Sequence, residues 1–590
     1  MAVLFWWPGT HMERAHTAAH QTRGSVWSAM SGILIASWLT RAGALLAVLL
    51  GLWTMAEAIH LVWATSTPVP IADQWDELVT GRALSLSWLF SQHNEHRMAT
   101  GRLFFLIDAY LFSARNILPF CSSLAILLVT SAVLVLYGAS TWRRLGSAQA
   151  WSWGLSLCFL FWAVQQENLM WAFDVDNFFI DLLAVAIFGY ASKAVPSPKA
   201  TILLLVLEFL CVYSMAQGMV VPALAAALAF FLRWPWRYAR WLVAAAVVLP
   251  AMYMIGYVSP AQDSSPFDAF YAIAEALKFY AILLGAPFGV AFGDLVNGES
   301  VALALIVGAV GVAFFVCAAA AFLRSATREP TIAALLCLMT FVLVVNGLPT
   351  VGRVRLGLEQ ALNSRYTSVA VLFWISAFSL IYYFAERRGP IAAAFVSIAT
   401  APLLILVAVN QYAMVHDIED GWQPYDKAMS AAPALLAGVN DQELLSNVTF
   451  DSASAIEKSK ALRDGHASIF SDAWTHWLGA PLRAHATLSD GGCVGAISST
   501  KAIDDPKAAG WRVVGRAWDT QRNKATKKLL LTDEDGTIVG FAIGDLRVDP
   551  ASDANWIGEV AGRPARPVAI YALSKSGEAC FLARIVLGSP

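Results

Sequence analysis

The chain has 590 residues, of which 58% are apolar and only 14% charged, with 23 Trp and 32 Phe. It is far more apolar than a water-soluble enzyme of its size and reads as a polytopic α-helical membrane protein. The net charge of −2, without a basic tract, gives no sign of a nucleic-acid partner.

Residues 1–40, with Arg14 and Arg23, read as a cytoplasmic N-terminal segment in which Met12 or Met30 are alternative starts and 26–39 an extra interfacial helix. The first apolar run, 42–64, lacks a small-residue cleavage pattern at its outer end, so it is expected to be an uncleaved anchor. Further runs follow at 117–139, 151–164, 178–191, 201–213, 220–232, 241–257, 301–322, 331–345, 366–384 and 391–412, which gives about eleven expected spans. Every second connection is basic: Arg143 and Arg144, Lys193 and Lys199, Arg233, Arg237 and Arg240, Arg324 and Arg328, Arg387 and Arg388. Lys and Arg are retained on the cytoplasmic side, so the N-terminus is expected inside and the intervening loops and C-terminal tail outside.

Composition changes after Tyr412. Short β-rich runs separated by Asp-Gly and Ser-Gly turn signals predict a helical linker over 414–445 and a β-sandwich over 446–590, outside the membrane, after a transmembrane domain over 41–413. Five of the seven cysteines lie in the spans. Cys493 and Cys580 are the only two in the tail, and an isolated pair in an exported domain predicts a disulfide.

The polar chemistry collects on the outward side. The first outward loop carries "DQWDEL" and "QHNEHRMATGR", the second "QQENLMWAFDVDN", the fourth is long and aromatic ("SPFDAFYAIAEALKFYAILLG"), and the fifth is "NGLPTVGRVRLGLEQALNSRYTS". Arg97, Arg102, Arg353, Arg355 and Arg365 stand where the positive-inside bias disfavours them, which suggests an anionic ligand such as phosphate, whose oxygens a guanidinium matches in a bidentate fork. Pairing with loop carboxylates or lipid headgroups is the alternative. Asp73, Asp76 and Glu77 suit a general base withdrawn from water, or equally the acidic start of a helix. His93 and His96, read as one helical turn apart with Glu95 beside them, suit hydrogen bonds to a phosphate or sugar better than a metal, because a firm third ligand is missing. Asn94 fits the same role. Glu208, in "LLLVLEFLCVY", is an ionisable group at membrane depth and so a candidate for a cavity or an interhelical hydrogen bond.

On "DQWDEL…QHNEHR…RLFFLIDAYLF", "GRVRLGLEQALNSRYTS" and the C-terminal "VVGRAWD…LLLTDEDGTIVGFAIGDLRVD", the chain resembles the GT-C superfamily of membrane glycosyltransferases, in a bacterial branch with a C-terminal β-sandwich. The resemblance implies a multi-pass protein of the bacterial cytoplasmic (inner) membrane, with its C-terminal domain periplasmic. It implies transfer of a sugar from a polyprenyl-phosphate donor to a cell-envelope glycan or glycolipid acceptor, inverting, with no cofactor required and a divalent cation left open. Carried onto this sequence, it places the catalytic base at Asp73, with Asp76 next, and phosphate recognition at Arg353, Arg355 or Arg365. Glu77, His93, Asn94, Glu95, His96, Arg97, Arg102, Glu167, Asp174 and Tyr366 complete the expected substrate-binding set. The two rival functions are a transporter or flippase of lipid-linked sugars, which would also need arginines, and a non-catalytic glycan-binding scaffold using Trp511, Trp518 and Trp556.

Overall fold

The computed structural model describes residues 10–80, 85–138, 146–259, 272–293, 300–420, 424–489, 491–548, 554–562, 567–574 and 577–588. Arg143 and Arg144, and most of the aromatic start of the fourth outward loop, lie outside the described residues.

Among the described residues, seven helices are long and apolar enough to cross a membrane: Gly32–Thr65, Ile117–Leu136, Ile273–Phe292, Ser300–Arg324, Pro330–Leu356, Ser364–Arg388 and Pro390–Ile418. Six coincide with expected spans, and Ile273–Phe292 falls in what was expected to be the fourth outward loop. These seven helices do not confirm the expected count of eleven. Helices Ser147–Leu160, Pro198–Val212 and Val220–Phe231 have 14, 15 and 12 residues. At 1.5 Å per residue they reach only about 18–23 Å, short of a hydrocarbon core of roughly 30 Å. Val175–Lys193 is longer but includes Asp176, Asp181 and Lys193, and Trp236–Tyr253 begins with Arg237 and Arg240 in its first turns.

Helix boundaries follow local chemistry. Pro198 and Pro330 stand at the first helical position, where a missing N–H costs nothing, and the Ser197 hydroxyl accepts from Ala200 N. Within the bundle, helices Ile273–Phe292 and Ser300–Arg324 touch backbone to backbone. A Cβ on Gly285 would lie 1.9 Å from the Ala304 carbonyl oxygen, and one on Gly308 1.7 Å from that of Ala281, so only glycine allows this approach.

The basic connections gather at one end of the bundle. Arg387 pairs with Glu329 at 3.1 Å, Arg328 donates to the Phe231 carbonyl at 2.8 Å, and Lys193 donates to that of Leu136. The acidic and arginine motifs gather at the other end, under the C-terminal region.

That region begins after helix Pro390–Asp420, which runs past Tyr412. Among the described residues, short helices Pro424–Ser430, Ala432–Ala437, Gln442–Leu445 and Ser452–Asp464 precede nine strands: β1 Thr487–Ser489, β2 Cys493–Ile503, β3 Gly510–Asp519, β4 Lys524–Ala525, β5 Lys528–Thr532, β6 Ile538–Gly544, β7 Trp556–Ala561, β8 Val568–Leu573 and β9 Glu578–Ile585. The expected β-sandwich is corrected to one sheet, ordered β1-β9-β8-β5-β6-β7-β3-β2, with β4 beside β3. Both faces are buried at the central strand β5, which is why it reads "LLL" without alternation: Leu529 and Leu531 join one apolar cluster with Val513, Trp556 and Val560, while Leu530 joins another. The second cluster continues through Leu435, Leu436 and Leu445 of the short helices to Val69, Trp75 and Phe173 of the outward loops. The sheet curls until β2 and β9 meet, and the expected Cys493–Cys580 disulfide staples them, with Cα atoms 6.1 Å apart.

Candidate functional site

Asp73 immediately precedes the short helix Gln74–Thr80, and the loop that carries it is pinned from several sides. Ala72, in the left-handed region at φ 49°, donates its N–H to the Val448 carbonyl at 2.8 Å, and the Trp75 indole N–H donates to the same oxygen at 3.1 Å. The Gln74 side chain accepts from Ile71 N at 3.0 Å and donates to Asn116 at 3.2 Å. The Asp73 side chain remains 38% exposed.

The six residues "QHNEHR" form a tight reverse turn rather than the helical turn expected. His93 and His96 exchange both backbone hydrogen bonds at 2.8 Å, and Asn94 takes φ 47°. This sends the two imidazoles to different partners. His93 Nε2 lies 3.7 Å from Asp73 Oδ2, and its Nδ1 lies 3.3 Å from Glu77 Oε1. His96 Nδ1 accepts from Ala216 N at 3.2 Å, while its Nε2 is 3.8 Å from Glu95. Arg97 closes the turn onto the end of helix Trp236–Tyr253, where carbonyls lack helical partners, donating to those of Tyr253 and Ile255 at 2.8 and 2.6 Å, and it also donates to the Phe90 carbonyl after the short helix Leu86–Leu89 at 2.7 Å.

Arg102, in helix Ala99–Phe112, is buried and holds buried Glu77 through two parallel bonds of 2.7 and 3.1 Å. Its remaining fork donates to the carbonyls of Trp88 and Ser91 at 2.6 and 2.7 Å. The start of that helix is docked by Asp176, which accepts from the Thr100 hydroxyl at 3.0 Å. A Cβ at Gly101 would lie 2.0 Å from the Asp176 carboxylate, so glycine is needed for that contact.

The second outward segment joins the first to the fifth. Trp171 donates to the Ile71 carbonyl at 3.2 Å and stacks on Phe173, whose ring is 5.8 Å from that of His93. On its other side, Asn168 donates to the Arg365 carbonyl at 3.1 Å, Ser364 donates to Glu167 at 3.2 Å, and Arg365 Nε lies 3.8 Å from Glu167. Arg353 and Arg365 both lie against the Tyr366 ring, at 5.9 and 5.7 Å from its centroid. Asp174, buried between these segments, accepts from Asn177 at 2.7 Å, and Asn177 accepts from Gln217 at 3.0 Å.

The electrostatics follow from burial and charge. Burial alone would lower the pKa of His93, but the close approach of Asp73 and the charges of Glu77, Asp73 and Asp76 outweigh it and leave the imidazole above its ordinary value. His96 goes the other way, lowered chiefly by burial. Burial, reinforced by the charge of Glu167, pushes Asp174 up to about 8 despite Asn177 and Arg365, and Asp73 also contributes to that field.

Asp73, Glu77, His93, Glu167, Asp174, Arg365, Arg353 and Tyr366 thus come from three sequence-distant segments to one region. Asp76 instead faces Lys458 of the C-terminal region. Arg97 and Arg102 hold protein carbonyls and Glu77. Asn94 is exposed at the tip of the turn, Glu95 and His96 lie on its other side, and Arg355 is exposed in the 3-10 turn Val354–Leu356. Among the described residues no group of three or more His, Cys, Asp or Glu side chains is arranged to hold a metal ion. Sequence reasoning missed Lys458, Ser364 and the Asn177–Gln217 relay. Asn177 at the end of "DVDN" was a visible signal, whereas nothing local marks a lysine 382 positions from its partner.

No protein-family model matches the chain, and no curated protein matches it by sequence. Among solved structures it is similar to the archaeal oligosaccharyltransferase AglB from Archaeoglobus fulgidus in complex with an inhibitory peptide and a dolichol-phosphate. That likeness has 13% identity and a TM-score of 0.37, over 68% of this chain and 59% of that one. It is also similar to ArnT from Cupriavidus metallidurans bound to undecaprenyl phosphate, at 10% identity and a TM-score of 0.33, over 77% and 95% of the two chains. The chain spans less than two thirds of the length of AglB, and at these TM-scores neither likeness carries weight on activity.

Proposed function

We propose that the chain is a membrane glycosyltransferase of the bacterial cytoplasmic membrane. It takes a sugar from a polyprenyl-phosphate donor and passes it to a cell-envelope glycan or glycolipid on the outer face, where the C-terminal region is periplasmic. The observation that carries this proposal is the half-exposed Asp73 carboxylate facing His93 in the same region as Arg365 and Arg353.

In the proposed reaction an acceptor hydroxyl attacks the anomeric carbon from the face opposite the phosphate. Asp73 takes the hydroxyl proton as the new C–O bond forms, the bond to the phosphate oxygen breaks, and polyprenyl phosphate leaves with the electron pair. The product is inverted at the anomeric carbon. His93, held by Glu77 and through it by Arg102, orients Asp73. Arg365 and Arg353 neutralise the leaving phosphate, and Tyr366 aligns them. Asp174, largely neutral near pH 7, offers a hydroxyl donor to the sugar. Asp76 is less suited than Asp73 because its carboxylate is turned to Lys458 of the C-terminal region.

The test is to give the purified full chain a radiolabelled polyprenyl-phosphate sugar and cell-envelope glycan. Release of polyprenyl phosphate with label on the glycan is the expected result. Movement of intact lipid across vesicles without bond cleavage would replace it with the flippase.

A further inference from the structure

Away from Asp73, a cleft of about 710 Å³ opens between the outer end of the first helix and the curled sheet. It is lined by Trp63 and Ser66 on the helix side and by Tyr425, Trp518, Lys527 and Asp545 on the other. We infer that this cleft is a binding site for neutral pyranose units of a glycan lying at the membrane surface.

Its size falls within the range of about 300–1,000 Å³ typical of small-molecule pockets. Its two tryptophans differ from those buried in the sheet. Trp511 and Trp556 are 8% and 1% exposed and belong to the sheet's core, whereas Trp518 is 39% exposed and Trp63 83%. Exposed indole faces suit the apolar C–H face of a sugar ring, and such a ring presents hydroxyls at its rim. The groups around those faces are both donors and acceptors. Lys527 pairs with Asp545 at 3.1 Å, and the lining also includes Asp426 and Arg547, so two formal positive charges meet two negative ones. That balance favours a neutral ligand over a phosphate or a uronic acid. Trp518 is held in place by its N–H bond to Asn523 at 3.3 Å, leaving the ring face for the ligand. The inference does not depend on the transfer reaction, since a glycan cleft serves a catalyst and a non-catalytic protein equally.

The experiment is calorimetric titration of the full chain in nanodiscs with cellobiose, maltose, lactose and gentiobiose, alongside Trp518→Ala, Trp518→Phe and Trp63→Ala. At least one disaccharide is expected to bind the wild type. Trp518→Ala should weaken it about tenfold or more, while Trp518→Phe, which keeps an aromatic face, retains most of the affinity. Trp63→Ala should weaken it as well. Melting curves matching the wild type establish that the variants are folded. No binding of any of the four sugars to the folded wild type would overturn the inference. So would binding unchanged by both alanine substitutions, which would leave Trp63 as a membrane-interface anchor only.

Discussion

Two buried arginines in this chain hold carboxylates in nearly the same way, and they end differently. Arg102 grips Glu77, and His93 carries the connection on to the half-exposed Asp73. Arg512 in β3 grips buried Asp441 at 2.6 Å, with Glu443 at 3.1 Å and Glu559 at 3.8 Å. The exposed end of that second network is Glu443, whose carboxyl is held below its ordinary range by the hydrogen bond from Lys501 and by Arg512. Its buried end is Glu559, which burial pushes up towards the neutral form. Permanent cations thus close the sheet's network. The Arg102 network instead reaches Asp73 through an imidazole, a partner that can gain or lose a proton near neutral pH. The same grip serves rigidity in one place and, in the proposed reaction, proton transfer in the other.

Removing either arginine strands a buried carboxylate, so Arg102→Ala and Arg512→Ala should each cost about 3–5 kcal/mol in unfolding experiments on the purified protein. The comparison predicts different consequences for turnover. The folded fraction of Arg512→Ala should transfer sugar at the wild-type rate, whereas that of Arg102→Ala should not, because His93 and Asp73 lose their support. Equal losses of turnover per folded molecule would erase the distinction.

Asp73→Asn should lower turnover about 10²-fold or more with an unchanged melting curve, because Asn preserves size but cannot accept the proton. If activity survived there and vanished in Asp76→Asn, the base would move to Asp76 and Lys458 would become its partner. Arg365→Ala should act on binding instead, costing about 1.5–3 kcal/mol and appearing mainly as a raised donor KM.

The smallest expected effect is on pH dependence. His93 has a folded-state pKa above its ordinary 6.5, so its contribution to stability is complete below 6.5 and is lost as pH rises past the folded value. The melting-temperature gap between wild type and His93→Gln should therefore be widest in mild acid and narrow as pH rises. A gap that widened with pH would mean that His93 is buried neutral, and the outward network would be as closed as the sheet's.

Much of this organisation was legible in the sequence because it rests on one-dimensional signals. Apolar runs mark the long helices, and the isolated pair Cys493 and Cys580 marks the disulfide. The motifs holding Asp73, His93, Asp174 and Arg365 stood out as polar residues in an apolar chain. What was not legible depends on partners distant in sequence or on backbone geometry. A six-residue segment with His at both ends of a four-residue step has the spacing of a helical turn, and only the positive φ of Asn94 makes it a reverse turn. Arg97 and Arg102 looked like phosphate ligands because an arginine's spacing does not reveal that carbonyls of Tyr253 and Ser91 will fill its fork. The single curled sheet escaped notice because two-faced burial in strands reads alike in a sandwich and in a sheet closed on itself.

The contacts at Val448, Lys458 and Ser468 set a timetable for the chain's maturation. Ser468 bonds to the carbonyls of Ser113 and Pro68, and Val448 receives Ala72 and Trp75, so the loop holding Asp73 is fastened by residues nearly four hundred positions later. A ribosome delivers the N-terminal part first. The loop holding Asp73 therefore emerges long before its clasp exists, and a nascent chain can be inserted in the membrane while that loop still lacks its partners. The proposed activity would switch on only when synthesis has passed the short helices that precede the sheet.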